Sequence, residues 1–196
     1  GEPLMRREIC KLVESVDTRS VTILFTTGDG LTGEMADTLK NGRLFGMAIS
    51  IDHYEPAIHD ERRGRKGAYE TAVRAVETSL SRGFYTMIQV VATREMAGGE
   101  FMGKYLELAA GLGVHEIRLL EPMPAGNLLK CSAKCALGER ERGELRRIHL
   151  ETNRSRNLPK VCAFAQIEDK SRYGCGAGFQ HLYVDAYGNV CPCDFT

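Results

Sequence analysis

Cys175, Cys191 and Cys193 set three thiols around a short turn near the end of the 196-residue sequence. Leu182-Tyr183-Val184-Asp185 reads as a strand, Ala186 to Asn189 as a Gly-Asn turn, and Val190 onward as the return strand. A hairpin of that kind brings Cys175 near Cys191 and Cys193. Soft thiolates gathered in this way suit an iron-sulfur cluster or zinc. A zinc ribbon completed by a partner such as His181 or Cys162 would make the chain a binding or regulatory module. Cys131 and Cys135 carry the spacing of a metal-binding pair, but Gly138 stands where a third thiol would follow, so they read as incidental thiols at a helix start.

A second group of candidates lies where apolar runs end. Val21 to Thr26, Gly46 to Asp52, Tyr85 to Thr93 and Glu116 to Glu121 are short and nearly continuous in apolar residues, the pattern of parallel strands covered on both faces. Between them lie helical patterns over Leu4 to Val16, Leu31 to Leu39, Ala68 to Arg82 and Gly103 to Leu112. Ala72, Val73, Val76 and Leu80 share one stripe, and Gly83 and Gly113 stop two of the helices. A further charged helix runs from Glu139 to Asn153. Alternation of this kind implies β-α units on a parallel sheet, either doubly wound or part of a barrel. Ligands of such folds sit beyond the C-terminal strand ends. Those ends carry Thr26-Thr27-Gly28-Asp29-Gly30, then Ser50-Ile51-Asp52, Thr93-Arg94, and Glu121-Pro122-Met123-Pro124-Ala125-Gly126. Gly28-Asp29-Gly30 lacks the third glycine and the downstream acid of a dinucleotide fingerprint.

The bulk numbers narrow the partners. Lys plus Arg equal Asp plus Glu at 26 each, so no net field draws the chain to nucleic acid or an anionic membrane. No apolar run reaches the roughly 20 residues of a membrane span. Seven cysteines among ordinary helices and strands, with no secretory signal ahead of them, favour a reducing cytoplasm. Partners are expected to be small molecules or a peptide.

In order, the strand exits resemble those of the radical S-adenosylmethionine superfamily, and the terminal hairpin resembles the start of its SPASM extension. Gly1-Glu2-Pro3 is similar to the latter part of the Gly-Gly-Glu-Pro segment after the second barrel strand, and Thr26-Thr27-Gly28 to Thr-Asn-Gly. Ser50-Ile51-Asp52 with His59-Asp60-Glu61-Arg62-Arg63-Gly64 and Gly67 resembles the Ser-x-Asp and His-Asp-x-x-Arg-Gly-x-x-Gly run after the fourth strand. Pro122 to Gly126 resembles the exit after the sixth, and Cys175, Gly188 and Cys193 fit the opening of the SPASM pattern.

The resemblance implies an α/β fold: a partial (β/α)6 barrel, from the helix after strand 2 through strand 6 and its helix, over residues 1–155. A linker and the first SPASM hairpin would follow over 156–196. It implies an enzyme using S-adenosylmethionine and 4Fe-4S clusters to form a 5′-deoxyadenosyl radical, acting on a peptide or protein and fed by a reductant such as a flavodoxin or ferredoxin. Glu2 would face the cofactor's α-amino group. Ser50 and Asp52 would serve its carboxylate or ribose side and Arg63 its carboxylate, while backbone at Leu120 and Glu121 would line the adenine. Cys175 and Cys193, with Cys191 beside them, would ligate an auxiliary cluster. The Cys-x-x-x-Cys-x-x-Cys run of the catalytic cluster is absent and is expected upstream of Gly1, with further SPASM cysteines beyond Thr196. The chain therefore reads as an excerpt, inactive alone. Thr27 replaces the usual Asn, and His53 stands where Gly commonly follows Ser-x-Asp.

Overall fold

The computed structural model describes residues 1–123, 136–169, 171, 174 and 176–193. Among them, β1 (Ile23–Thr26), β2 (Gly46–Ser50), β3 (Tyr85–Val91), β4 (Glu116–Leu120) and β5 (Lys160–Ala163) form one sheet in sequential order, with every pair parallel. Crossovers of one hand between strands laid down in sequence put the connecting helices on a single face. This is the arrangement of a barrel wall, and it excludes the doubly wound alternative.

The helices among the described residues are α1 (Ile9–Glu14), α2 (Gly33–Asn41), α3 (Pro56–Arg63), α4 (Ala68–Ser81), α5 (Gly99–Leu112), α6 (Glu139–Thr152) and α7 (Phe164–Ile167). One continuous core joins Met47, Ile49, Ile88, Val90, Ile117, Leu119, Val161 and Ala163 of the strands to Leu39, Ala72, Val76, Tyr105 and Leu145 of the helices. Alternate residues point to the other face of the sheet. There the strands carry Phe25, Ala48, Ser50, Met87, Gln89, Glu116, Arg118 and Cys162. The apolar runs suggest cover on both faces; the structure gives one apolar, helix-packed face and an opposite face that mixes the buried Ala48 and Met87 with Ser50, Gln89, Glu116 and Arg118.

Two elements differ from the sequence reading. Lys160–Ala163 pairs with β4, so the sheet continues past residue 155, where the barrel unit is expected to end. A four-residue strand behind Pro159 is too short to announce itself by periodicity. The run containing Arg63, where the sequence reading places no helix, is α3, which starts at Pro56 and stops at Gly64 with φ +63°.

At the C-terminus, β6 (Tyr183–Val184) and β7 (Val190–Cys191) pair antiparallel, Tyr183 opposite Cys191. Their turn is held by Asp185, whose Oδ1 accepts from the Tyr187 and Asn189 amides at 2.8 Å each. Among the described residues no helix is long and apolar enough to cross a membrane.

Candidate cofactor site at the strand exits

Glu2 caps the 3-10 turn Pro3–Met5 and reaches the end of β1. Its Oε1 accepts from the Leu4 amide at 3.2 Å and from Thr26 Oγ1 at 2.5 Å. Its Oε2 accepts from the Thr27 amide at 2.7 Å and from Thr27 Oγ1 at 2.6 Å. A carboxylate offers about four lone-pair sites, and all are taken. Burial alone would raise the Glu2 pKa, but the hydrogen bonds from Thr26, Thr27 and Leu4 outweigh it and hold the group below its ordinary value. Thr27, which departs from the usual Asn, thus binds Glu2 through both backbone and side chain. The expected role of Glu2 toward an amino group would require one of these four acceptor positions to be given up to, or shared with, that group.

Gly28 closes the corner. It sits at φ +89°, and a Cβ there would lie 2.6 Å from the Ala75 Cβ of α4. Both the left-handed backbone and the close approach call for glycine.

The exit of β2 is built around Asp52 and His59. The buried His59 accepts the Asp52 amide on Nδ1 at 3.0 Å, and burial, its largest influence, pushes its pKa down, keeping that nitrogen an acceptor. Arg63 forks onto Asp52: Nη2 donates to Oδ1 at 2.8 Å, and Nε lies 2.6 Å from Oδ2 but off the hydrogen-bond axis. Asp60 accepts the Gly67 and Tyr69 amides at 2.6 and 2.8 Å, fastening the start of α4. In the His-Asp-x-x-Arg-Gly-x-x-Gly run, His59 and Asp60 therefore hold the loop while Arg63 faces the exit. His53 is 1% exposed and packs against Tyr54 and Phe101, with ring centroids at 4.4 and 5.0 Å. A buried imidazole thus fills the place where glycine is usual.

Thr27, Asp29, Ser50, His59, Arg63, Arg65 and Ala68 line a cleft of about 340 Å³. Ser50 and Arg63 meet there beside the corner pinned by Glu2, with Asp52 behind Arg63. Leu120 does not line it. Its carbonyl accepts the Ala92 amide at 2.8 Å, and Glu121 is engaged by Arg142 Nε at 2.6 Å. Two features escape the sequence reading. Arg65 pairs with Asp29 at 2.7 Å, and Gln89 Nε2 donates to Ser50 Oγ at 3.1 Å. The first lies in the charged stretch Glu61 to Lys66, in which nothing marks Arg65 apart from its neighbours. The second follows from strand register, which a sequence does not state.

Cys175 lies outside the described residues, as do Cys131, Cys135 and the Pro124 to Gly126 exit. Cys191 belongs to β7 and Cys193 follows it; Cys162 belongs to β5 of the barrel sheet. Among the described residues no three His, Cys, Asp or Glu side chains gather to hold a metal ion.

A family model described as the Radical SAM superfamily matches residues 1–98. The AdoMet-dependent heme synthase of Oleidesulfovibrio alaskensis is 23% identical over 217 aligned positions, covering 100% of this chain and 55% of the relative. The mycofactocin maturase MftC of Mycolicibacterium smegmatis is 32% identical over 128 positions, covering 64% of this chain and 32% of the relative. Streptococcus suis SuiB bound to S-adenosylmethionine superposes with a TM-score of 0.75 at 14% identity, over 99% of this chain and 48% of SuiB. SuiB has also been solved with its precursor peptide SuiA. The chain thus spans between about a third and a little over half of the relatives it matches.

Proposed function

The chain belongs to the radical S-adenosylmethionine superfamily, and from that membership we propose that the full-length protein is an enzyme that binds S-adenosylmethionine at the β1 and β2 exits and modifies a peptide or protein. The observation that carries the reading is the cleft in which Ser50 and Arg63 converge beside the Thr-Thr-Gly corner. The lining fits the group: the Arg63 guanidinium, the Ser50 hydroxyl and the Thr27 side chain border one space. Arg63 would take the methionine carboxylate with the edge of its guanidinium that Asp52 leaves open. Asp52 orients the guanidinium and keeps its charge balanced. Ser50 would serve the ribose or carboxylate side, and Glu2 fixes Thr27 and supplies negative charge toward the amino end. Leu120 backbone would lie on the adenine side, farther along the same rim.

When bound and reduced, S-adenosylmethionine supplies a 5′-deoxyadenosyl radical able to abstract hydrogen from an unactivated carbon. The seven cysteines do not include a Cys-x-x-x-Cys-x-x-Cys run, so no residue here fits the catalytic 4Fe-4S cluster. On this reading these 196 residues are inactive by themselves. Cys175 and Cys193, with Cys191 adjacent, would contribute to a SPASM auxiliary cluster in a second unit after the barrel, and a flavodoxin or ferredoxin in the cytoplasm would supply electrons. Mycofactocin maturase and the SuiB–SuiA complex support a peptide substrate.

The test is calorimetric titration of S-adenosylmethionine into the full-length protein and Arg63→Ala. Loss of a charged, forked contact should weaken binding about 10- to 100-fold with iron content unchanged. Undiminished affinity would overturn the site.

A further inference from the structure

The open face of the sheet holds a second cation that the cofactor cleft does not use. Ser50, Gln89 and Arg118 are direct register partners on β2, β3 and β4. With strands about 4.8 Å apart, Arg118 stands roughly 10 Å from Ser50 along this row. Its guanidinium lies between two rings, 5.3 Å from the Phe25 centroid and 5.5 Å from that of Phe164. Rings on two sides fix the plane of the group and leave its hydrogen-bonding edge to be filled by something else. The nearest carboxylate oxygen, Glu116 Oε1, is 3.8 Å from Arg118 Nε, too far for a hydrogen bond, and Nε is buried with no hydrogen-bond partner among the described residues. Glu116 is held elsewhere, its Oε2 accepting from the Tyr85 hydroxyl at 3.0 Å. The other polar neighbour is the Cys162 thiol, the register partner on β5, which accepts from Arg118 only weakly. An oriented guanidinium that is partly exposed and has only a distant carboxylate and a weakly accepting thiol beside it matches a carboxylate, which takes two parallel N–H donors.

We propose that Arg118 anchors a carboxylate of the substrate, so that the substrate backbone or side chain lies across Gln89 toward the Ser50 end of the row. The inference deepens the reading above and rests on it, because it takes the open face as the substrate's bed. The anchored group is a peptide carboxylate, from an acidic side chain or from a chain terminus.

The experiment titrates the full-length protein, with S-adenosylmethionine present, with three tripeptides. Acetyl-Ala-Glu-Ala-amide carries a side-chain carboxylate, acetyl-Ala-Gln-Ala acid a terminal one, and acetyl-Ala-Gln-Ala-amide none. At least one acid should bind ~10-fold or more tightly than the neutral peptide, and the better acid identifies the source of the carboxylate. Arg118→Gln should abolish the discrimination, and Arg118→Lys should narrow it, because an ammonium keeps charge but loses the fork. In the wild type, the Arg118 Nε–H resonance should shift with the acid and not with the neutral peptide. A residue serving only as ring-packed support would move none of these. Equal binding of all three peptides, absence of binding, or discrimination that persists in Arg118→Gln overturns the anchor; should Arg118→Gln not fold, Arg118→Lys and the resonance decide. A wild type that fails to bind S-adenosylmethionine removes the underlying reading. One that binds it without discriminating among the peptides removes the anchor alone.

Discussion

Ile88 and Gln89 are consecutive residues of one strand, yet they belong to two different environments. Ile88 is 0% exposed, in the core between sheet and helices. Gln89 points to the opposite face, where its amide holds Ser50 Oγ. The same division runs across the sheet, with Ile49 and Leu119 on one side and Ser50 and Arg118 on the other. One face spends its residues on burial, the main favourable term in folding. The other sets Ser50, Gln89 and Arg118 beside the buried Ala48 and Met87, and it is where the proposed ligand contacts fall. The helix-packed core and the proposed ligand contacts thus alternate with the two-residue period of a strand.

One substitution on each face gives the largest contrast. Ile88→Asp would bury an unpaired carboxylate in the core, and a loss of at least about 4 kcal/mol is expected, seen in denaturant melts as failure to fold. Gln89→Ala should change stability by about 1 kcal/mol or less, because it removes one part-buried bond. Comparable losses at both positions would show that the open face is also structural. Next in size is Gly28→Ala, which joins the two regions, since its Cβ would meet Ala75 of the core-packed α4 at 2.6 Å. Strain and displacement should cost about 1–3 kcal/mol. S-adenosylmethionine affinity should fall with it, as the Thr27 corner moves. A fall in melting temperature with affinity retained would separate the corner from the site.

The sequence makes the helix-packed face far more legible than the open one. Runs such as Met47-Ala48-Ile49 and Met87-Ile88 announce strands whatever surrounds them, and β1 to β4 lie within the runs read from composition. Gly113, expected to stop a helix, caps α5 at φ +74°. The ordered strand exits likewise locate Ser50, Asp52 and Arg63 on one rim. What stays hidden is pairwise. Nothing in Glu2 alone says that four donors from Leu4, Thr26 and Thr27 converge on it, nor in Arg63 that Asp52 takes its fork. Arg118 sits in a run that reads as one more buried strand, and its importance appears only when register lines it up with Ser50 and Gln89. The β5 segment fails to show itself because a four-residue edge strand is recognised by its partner, β4, more than by its own pattern.

The smallest effect is also the most specific to the open rim. Glu2 is held below its ordinary pKa, so its ionised form is favoured by the fold. A depressed carboxylate contributes stability that is fully present above its unfolded value, about 4.3, and is lost as pH falls through the lower folded value. Glu2→Gln keeps the size of the side chain but gives up the charge-assisted hydrogen bonds, and should cost about 1–2 kcal/mol at pH 7. Asp17, Asp60, Glu141 and Asp185 are depressed as well, so the wild type alone will show a compound acid limb. The difference between wild type and Glu2→Gln isolates Glu2, since the other carboxylates titrate in both. That difference should be constant above about pH 5 and shrink below about pH 4, as measured by urea melts across the range. A difference that does not vary with pH would mean that Glu2 holds the corner by shape and not by charge, and the negative end assigned to the cofactor cleft would lose its source.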